Sequence, residues 1–92
     1  MKSNAVKIHD TDNVVISTQP IKKGDPVVIK GERLFDALDE VDLGHKIAIA
    51  PIVCGGKVFR YGEPILQATR PIAPGEWVHV HNTHPIPGDL NE

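Results

Sequence analysis

The chain has one cysteine, four aromatic residues, no long apolar run and no surplus of basic residues among its 92 positions. Cys54 has no partner within the chain, so no internal disulfide staples the fold. A CxxC pair or a Cys/His spacing of the structural-zinc kind is also missing. Cys54 itself reads as a small buried hydrophobe rather than a nucleophile. With only Phe35, Phe59, Tyr61 and Trp77 as aromatics, the core has to be built from Val, Ile, Leu and Ala. No stretch approaches the roughly 20 apolar residues of a membrane span, and the N-terminus lacks a signal-peptide core. The expectation is a cytoplasmic protein with no membrane contact. Ten Lys and Arg stand against twelve Asp and Glu. Neutralising nucleic-acid phosphates needs the opposite balance, so no nucleic acid is expected as a partner.

What is present suits one small domain, since a chain of this length buries roughly 60–65% of its unfolded surface. Short β-branched runs separated by Gly and Pro recur: "AVKI", "NVVIS", "PVVIK", "KIAIA", "PILQAT" and "EWVHVH". They predict an all-β domain over residues 1–84 with a flexible tail at 85–92. The best helix candidate is "GERLFDALDEVDLGHK" (31–46), bracketed by Gly31 and Gly44, with Leu34, Leu38 and Val41 near helical spacing. Five acids within it favour a short helical turn or irregular loop over a long helix.

The pattern P-I-x-x-G-x-x-V occurs three times, as "PIKKGDPV", "PIVCGGKV" and "PIAPGEWV". Each copy reads as a strand end, a turn and a new strand. The Ile and Val are core anchors, and the Gly supplies a turn position. "CGGK" in the middle copy is not a phosphate loop, because the GxxxxGK[ST] spacing is missing.

Three of the five histidines fall in "VHVHNTH" (Val78–His84). A strand over Glu76–Asn82 puts Val78 and Val80 in the core and Trp77, His79 and His81 on the outer face. Imidazoles at i and i+2 of a strand lie about 7 Å apart and can converge on one ion, supplying two ligands. His84, before Pro85, belongs to the exit loop. Two other polar places compete for chemistry. "HDTDNV" (His9–Val14) is a polar connection in which Asp10, Asp12 or Asn13 caps local amides. "LGHK" places His45 and Lys46 at a strand start, where Lys46 either snorkels or serves, with His45, as an acid or base.

"VKIHDTDNVVI", "GHKIAIAPI", "VFRYGEPI" and "GEWVHVHN", in that order, resemble the N-terminal SAF (antifreeze-like, β-clip) domain of altronate and galactarate dehydratases. The related sulfolactate sulfo-lyase carries this domain as a separate small subunit. The resemblance covers roughly Val6 to Asn82. It implies a β-clip fold and elimination from a hydroxy-acid substrate, by dehydration of altronate or galactarate or loss of sulfite from sulfolactate. It further implies a divalent metal, typically Fe(II). His9, Asp12 and Asn13 match the first signature, Gly44, His45 and Lys46 the second, Tyr61 and Gly62 the third, and His79, His81 and Asn82 the fourth. We assign His79, His81 and His9 to the metal, a step beyond the motifs themselves. His45 and Lys46 are assigned to catalysis, and Asn13, Tyr61 and Asn82 to substrate binding.

Altronate- and galactarate-type enzymes continue into a large second domain that this sequence lacks. Either a large dehydratase-like subunit supplies the remainder or the chain is an excised domain; the expectation is a natural small subunit with that partner, inactive by itself. Homo-oligomer formation through an outward Trp77 is also compatible with the sequence. The competing expectation is a non-catalytic carbohydrate-binding or assembly module, with Trp77 stacking on a sugar.

Overall fold

The computed structural model describes residues 1–86, which form nine short strands and no helix. They are β1 (Ala5–Val6), β2 (Val14–Ser17), β3 (Pro26–Ile29), β4 (Glu32–Asp36), β5 (Lys46–Ala48), β6 (Lys57–Arg60), β7 (Glu63–Ala68), β8 (Trp77–Val78) and β9 (Thr83–His84). Every pairing is antiparallel. The strands make a central sheet, β1-β2-β5-β8, a β3-β4 hairpin and a β6-β7-β9 sheet. The all-β expectation holds. Accordingly, no described helix is long and apolar enough to cross a membrane.

The three-copy repeat is part of a larger duplication with a constant offset of 31 positions. Ile21, Gly24 and Val27 recur as Ile52, Gly55 and Val58, while Val41, Gly44 and Ile47 recur as Ile72, Gly75 and Val78. Glu40–Ile47 is thus a fourth copy, hidden in the sequence because Glu-Val replaces Pro-Ile. The copies associate in pairs through the bridges Ile21↔Val41 and Ile52↔Ile72. One core collects Ala5, Val15, Ile21, Val27, Ala37, Val41 and Ile47. The other collects Val14, Ala48, Ile52, Val58, Ala68, Ile72 and Val78. Neighbours Val14 and Val15, and likewise Ile47 and Ala48, go to different cores. The central sheet is therefore covered on both faces, which explains why β2 opens on the unbroken apolar run Val14-Val15-Ile16 instead of alternating. Each fully buried Ile or Val contributes about 1.5–3 kcal/mol, spread almost evenly over the two halves.

Both long hairpins use the same device. Lys30-Gly31 and Tyr61-Gly62 have positive φ at both positions, the two-residue turn whose twist matches the strands it joins. Register shifts follow at Val27/Val28 and at Val58/Phe59, where a bulge leaves backbone groups without a cross-strand partner. An asparagine side chain supplies the missing peptide in each case. Asn4 Nδ2 donates to Pro26 O (2.7 Å), and its Oδ1 accepts from Val28 N (2.8 Å). Asn13 repeats this with Lys57 O (2.9 Å) and Phe59 N (2.8 Å).

Three local expectations are corrected. Residues 31–46 contain no helical turn: Glu32–Asp36 is β4, because the Lys30-Gly31 turn folds the chain back onto β3. Leu34 and Leu38, whose spacing suggested a helix face, remain exposed. Cys54 is exposed, not buried, since it occupies a variable turn position of the repeat, where the first copy has Lys23. Finally, β8 stops at Val78, and Val80 is 80% exposed. Of the expected tail, residues 87–92 lie outside the described residues.

Candidate functional site

The strand through "VHVHN" ends early because Asn82 captures it. Asn82 is fully buried; its Oδ1 accepts from His79 N (3.0 Å) and its Nδ2 donates to Trp77 O (2.9 Å). Asn82 N also donates to His79 O (3.2 Å), as does Thr83 Oγ1 (2.7 Å). Local side-chain bonds of this kind compete with a sheet ladder, and His79–Asn82 becomes a turn with Val80 at its tip. The expected grouping of Trp77, His79 and His81 survives through this turn, not through strand alternation. The centroids of His79 and His81 lie 4.8 and 5.0 Å from that of Trp77. His45 joins them, 5.1 Å from His79, and accepts a hydrogen bond at Nδ1 from Trp77 Nε1 (3.2 Å). The indole is half-buried against the first core and taken up by imidazoles, so it is not an open platform for a sugar.

A second cluster surrounds the Tyr61-Gly62 turn. The buried carboxylate of Asp12 accepts from His9 N (3.1 Å), Tyr61 N (3.1 Å) and Gly62 N (2.8 Å). Burial pushes its pKa up, but these three bonds outweigh that and hold it below the ordinary carboxylate value. The His9 ring lies over Gly62, where a Cβ would come within 3.1 Å of it, and its Nδ1 is engaged by Thr11 Oγ1 and Thr11 N. Tyr61 is 57% exposed, with the Arg60 guanidinium 4.8 Å from its ring centre and donating to its hydroxyl (3.2 Å). Asp12 is a polar anchor that the site assignments passed over. Its sequence signal was the connection "HDTD", in which Asp10 and Asp12 read as local caps.

Of the expected substrate-binding residues, Tyr61 alone presents an open side chain. Asn13 and Asn82 have both amide functions engaged by backbone, Asn82 at zero exposure, so the structure makes them scaffold residues. Nor are the three expected metal ligands brought together. His79 and His81 pack on Trp77, while His9 belongs to the Asp12 cluster. Among the described residues, no three His, Cys, Asp or Glu side chains are grouped so as to hold a metal ion. The donor set among the described residues therefore does not fit a divalent-metal site.

A depression of about 260 Å³ is lined by Lys46, Leu66, His79, Val80, Thr83, His84 and Pro85. His84 was placed in the exit loop by sequence, yet it pairs with Gln67 in β9. Its signal was Pro85, because a residue before proline is held extended. Lys46 is half-buried, and its pKa is lowered, first by burial and then by the nearby Arg60 guanidinium. Because the folded value lies below the unfolded one of about 10.4, the charged ammonium opposes folding, and this penalty fades as pH rises through that window. Arg60→Gln is expected to raise the Lys46 pKa without restoring it fully, since burial remains. A ¹⁵N-detected NMR titration of the lysine side chain reads this directly. A larger cleft of about 400 Å³, lined by residues including Pro51, Val53, Cys54, Pro71 and Glu76, is mostly apolar. Its carboxylate, on Glu76, is engaged with Ala73 N (2.7 Å).

These residues lie within sequence similarity that spans the chain. Residues 3–85 match the family described as the altronate/galactarate dehydratase SAF domain. The altronate dehydratases of Bacillus subtilis and Escherichia coli are 38% and 37% identical over 78 and 87 residues. Those matches cover 85% and 95% of this chain but only 16% and 17% of the relatives. The (2R)-sulfolactate sulfo-lyase subunit alpha of Chromohalobacter salexigens is 30% identical over 82 residues, covering 82% of this chain and 87% of the relative. The chain thus spans about a sixth of the dehydratases' length and most of the sulfo-lyase subunit. An all-β domain with matching family sequence from residue 3 to residue 85 belongs to the altronate/galactarate dehydratase SAF domain family.

Proposed function

We propose that this domain contributes part of the active site of a hydroxy-acid lyase, completed by a large dehydratase-like segment or subunit. The reaction is loss of water from a sugar acid such as altronate or galactarate, or loss of sulfite from sulfolactate. The observation carrying this reading is the depression in which Lys46, His79 and His84 meet, with Arg60 acting on Lys46. It carries the Lys46 ammonium, which a carboxylate substrate can pair with. A relative matched along most of its length is named a subunit, and the dehydratases contain this sequence within much longer chains.

Elimination of water needs a group to remove the proton next to the carboxylate and another to protonate the departing hydroxyl. Lys46 is suited to the second task, because burial and the Arg60 charge make its ammonium a readier acid than a free lysine. Fe(II), which the family resemblance implies, finds no fitting donor set among the described residues. The chemistry assigned to this chain is proton transfer and anion binding by its own side chains.

The test is to mix the chain with a dehydratase large segment lacking its SAF portion. Altronate, galactarate and sulfolactate are each assayed with iron(II) present. The chain alone is expected to be inert, and the mixture to convert one of the three. Turnover by the chain alone, or a stable complex inert on all three acids, would overturn the proposal.

A further inference from the structure

Two imidazoles of this region are held in opposite tautomers, and the geometry points to a division of labour between them: His84 accepts a proton at Nε2, whereas His45 donates a hydrogen bond from Nε2. The inference rests on the elimination reading above for its chemistry, but not for its test.

The tautomers follow from the partners at Nδ1. An indole N–H is a donor only. Trp77 Nε1 lies 3.2 Å from His45 Nδ1, so that nitrogen presents its lone pair and the neutral ring carries its proton on Nε2. A carbonyl oxygen is an acceptor only. Pro85 O lies 2.7 Å from His84 Nδ1, so the proton sits on Nδ1 and the lone pair on Nε2. Each ring is also fixed at its base. Ser17 Oγ accepts from His45 N (3.2 Å) and donates to Asp42 O (2.6 Å), while Ser17 N donates to His45 O (3.0 Å). His84 is held in β9 by its pairing with Gln67. His79 links the two, stacked on His45 and sharing the depression with His84.

In a dehydration, His84 Nε2 takes the proton from the carbon beside the carboxylate, and the C–H electron pair passes into an enediolate. That pair then forms the carbon–carbon double bond as the neighbouring C–O bond breaks. The departing oxygen receives a proton from the Lys46 ammonium and leaves as water. His45, which stacks on His79 behind the lining of the depression, keeps its proton on Nε2 throughout as a fixed hydrogen-bond donor. Trp77 is then a positioning residue, acting only through His45.

Long-range ¹H–¹⁵N NMR of the chain at pH 8, where free imidazoles are neutral, reads both tautomers without partner or substrate. His45 is expected as the Nε2–H form, with a scalar coupling to Trp77 Nε1 across the N–H···N bond, and His84 as the Nδ1–H form. Trp77→Phe keeps an aromatic ring but removes the donor. It is expected to release His45 into a mixture of tautomers while His84 stays unchanged. Wild-type His45 in the Nδ1–H form, His84 in the Nε2–H form, or an unaltered His45 in Trp77→Phe would each overturn the proposal. The wild-type spectra decide it even if the variant fails to fold.

Discussion

Asp12→Ala is expected to lower the thermal unfolding midpoint by roughly 12–24 °C, from a loss of about 3 kcal/mol at about 4–8 °C per kcal/mol for a domain this size. The carboxylate is buried and accepts three backbone N–H groups, from His9, Tyr61 and Gly62. Alanine removes those charge-assisted bonds and leaves partly buried donors with no acceptor. At the duplicated turn the first half uses an uncharged partner, with Ser3 Oγ accepting from Gly31 N (2.9 Å). Ser3→Ala is accordingly expected to cost far less. The pH dependence has a definite sign. The folded pKa of Asp12 lies below its unfolded value of about 3.9, so its stabilisation is complete above that value. It is lost as pH falls through the folded pKa. Calorimetry of wild type and Asp12→Ala from pH 7 downward should show the gap in midpoint narrowing once pH drops below about 4.

Lys46→Met is expected to reduce turnover of the reconstituted lyase by roughly 10²–10⁴-fold, the usual worth of a positioned proton donor. Methionine fills similar space and replaces a half-buried ammonium whose charge burial disfavours. The variant should therefore be at least as stable as wild type at neutral pH. The combination separates catalysis from folding. Unchanged turnover in Lys46→Met would remove the residue from the chemistry, and lost turnover with a collapsed fold would make its role structural. Steady-state kinetics and an unfolding curve on the same preparation distinguish the cases.

The division between what the sequence revealed and what it concealed follows physical lines. Ile21, Ile52 and Ile72 were legible as core because Gly and Pro fixed their phase three times over, and all three are buried. The fourth copy was concealed because Val41 fills the same core position as Ile without the Pro-Ile pair that marked the others. Strand alternation failed after Val78 because a single buried amide, Asn82, outcompetes the ladder for His79 N. Asn13 read as a local cap from its residues alone, and the family resemblance made it a substrate contact. Its clamp on Lys57 and Phe59 is the counterpart of the Asn4 clamp on Pro26 and Val28, which gives it a folding role. Lys46, assigned to catalysis, and His79, assigned to a metal, both line the depression. His84 was missed because its place in the depression is made by pairing with Gln67, a contact between distant parts of the chain.

The duplication also bears on function. Residues that repeat across the halves, such as the Ile, Gly and Val anchors, build the fold. The second half departs from the first at Trp77, His79 and His81, where the first half has Lys46, Ala48 and Ala50. Tyr61 likewise stands opposite Lys30. Trp77, His79 and His81 thus belong to the second half alone, while Lys46 comes to the depression from the first.

The most direct test of the central claim, that the chain's chemistry lies in the depression lined by Lys46, His79 and His84, is the turnover of the reconstituted pair carrying His84→Ala. The prediction is a fall of roughly 10²-fold or more, with the complex still assembled and activity partly restored by added imidazole. Turnover within threefold of the wild-type pair would contradict it.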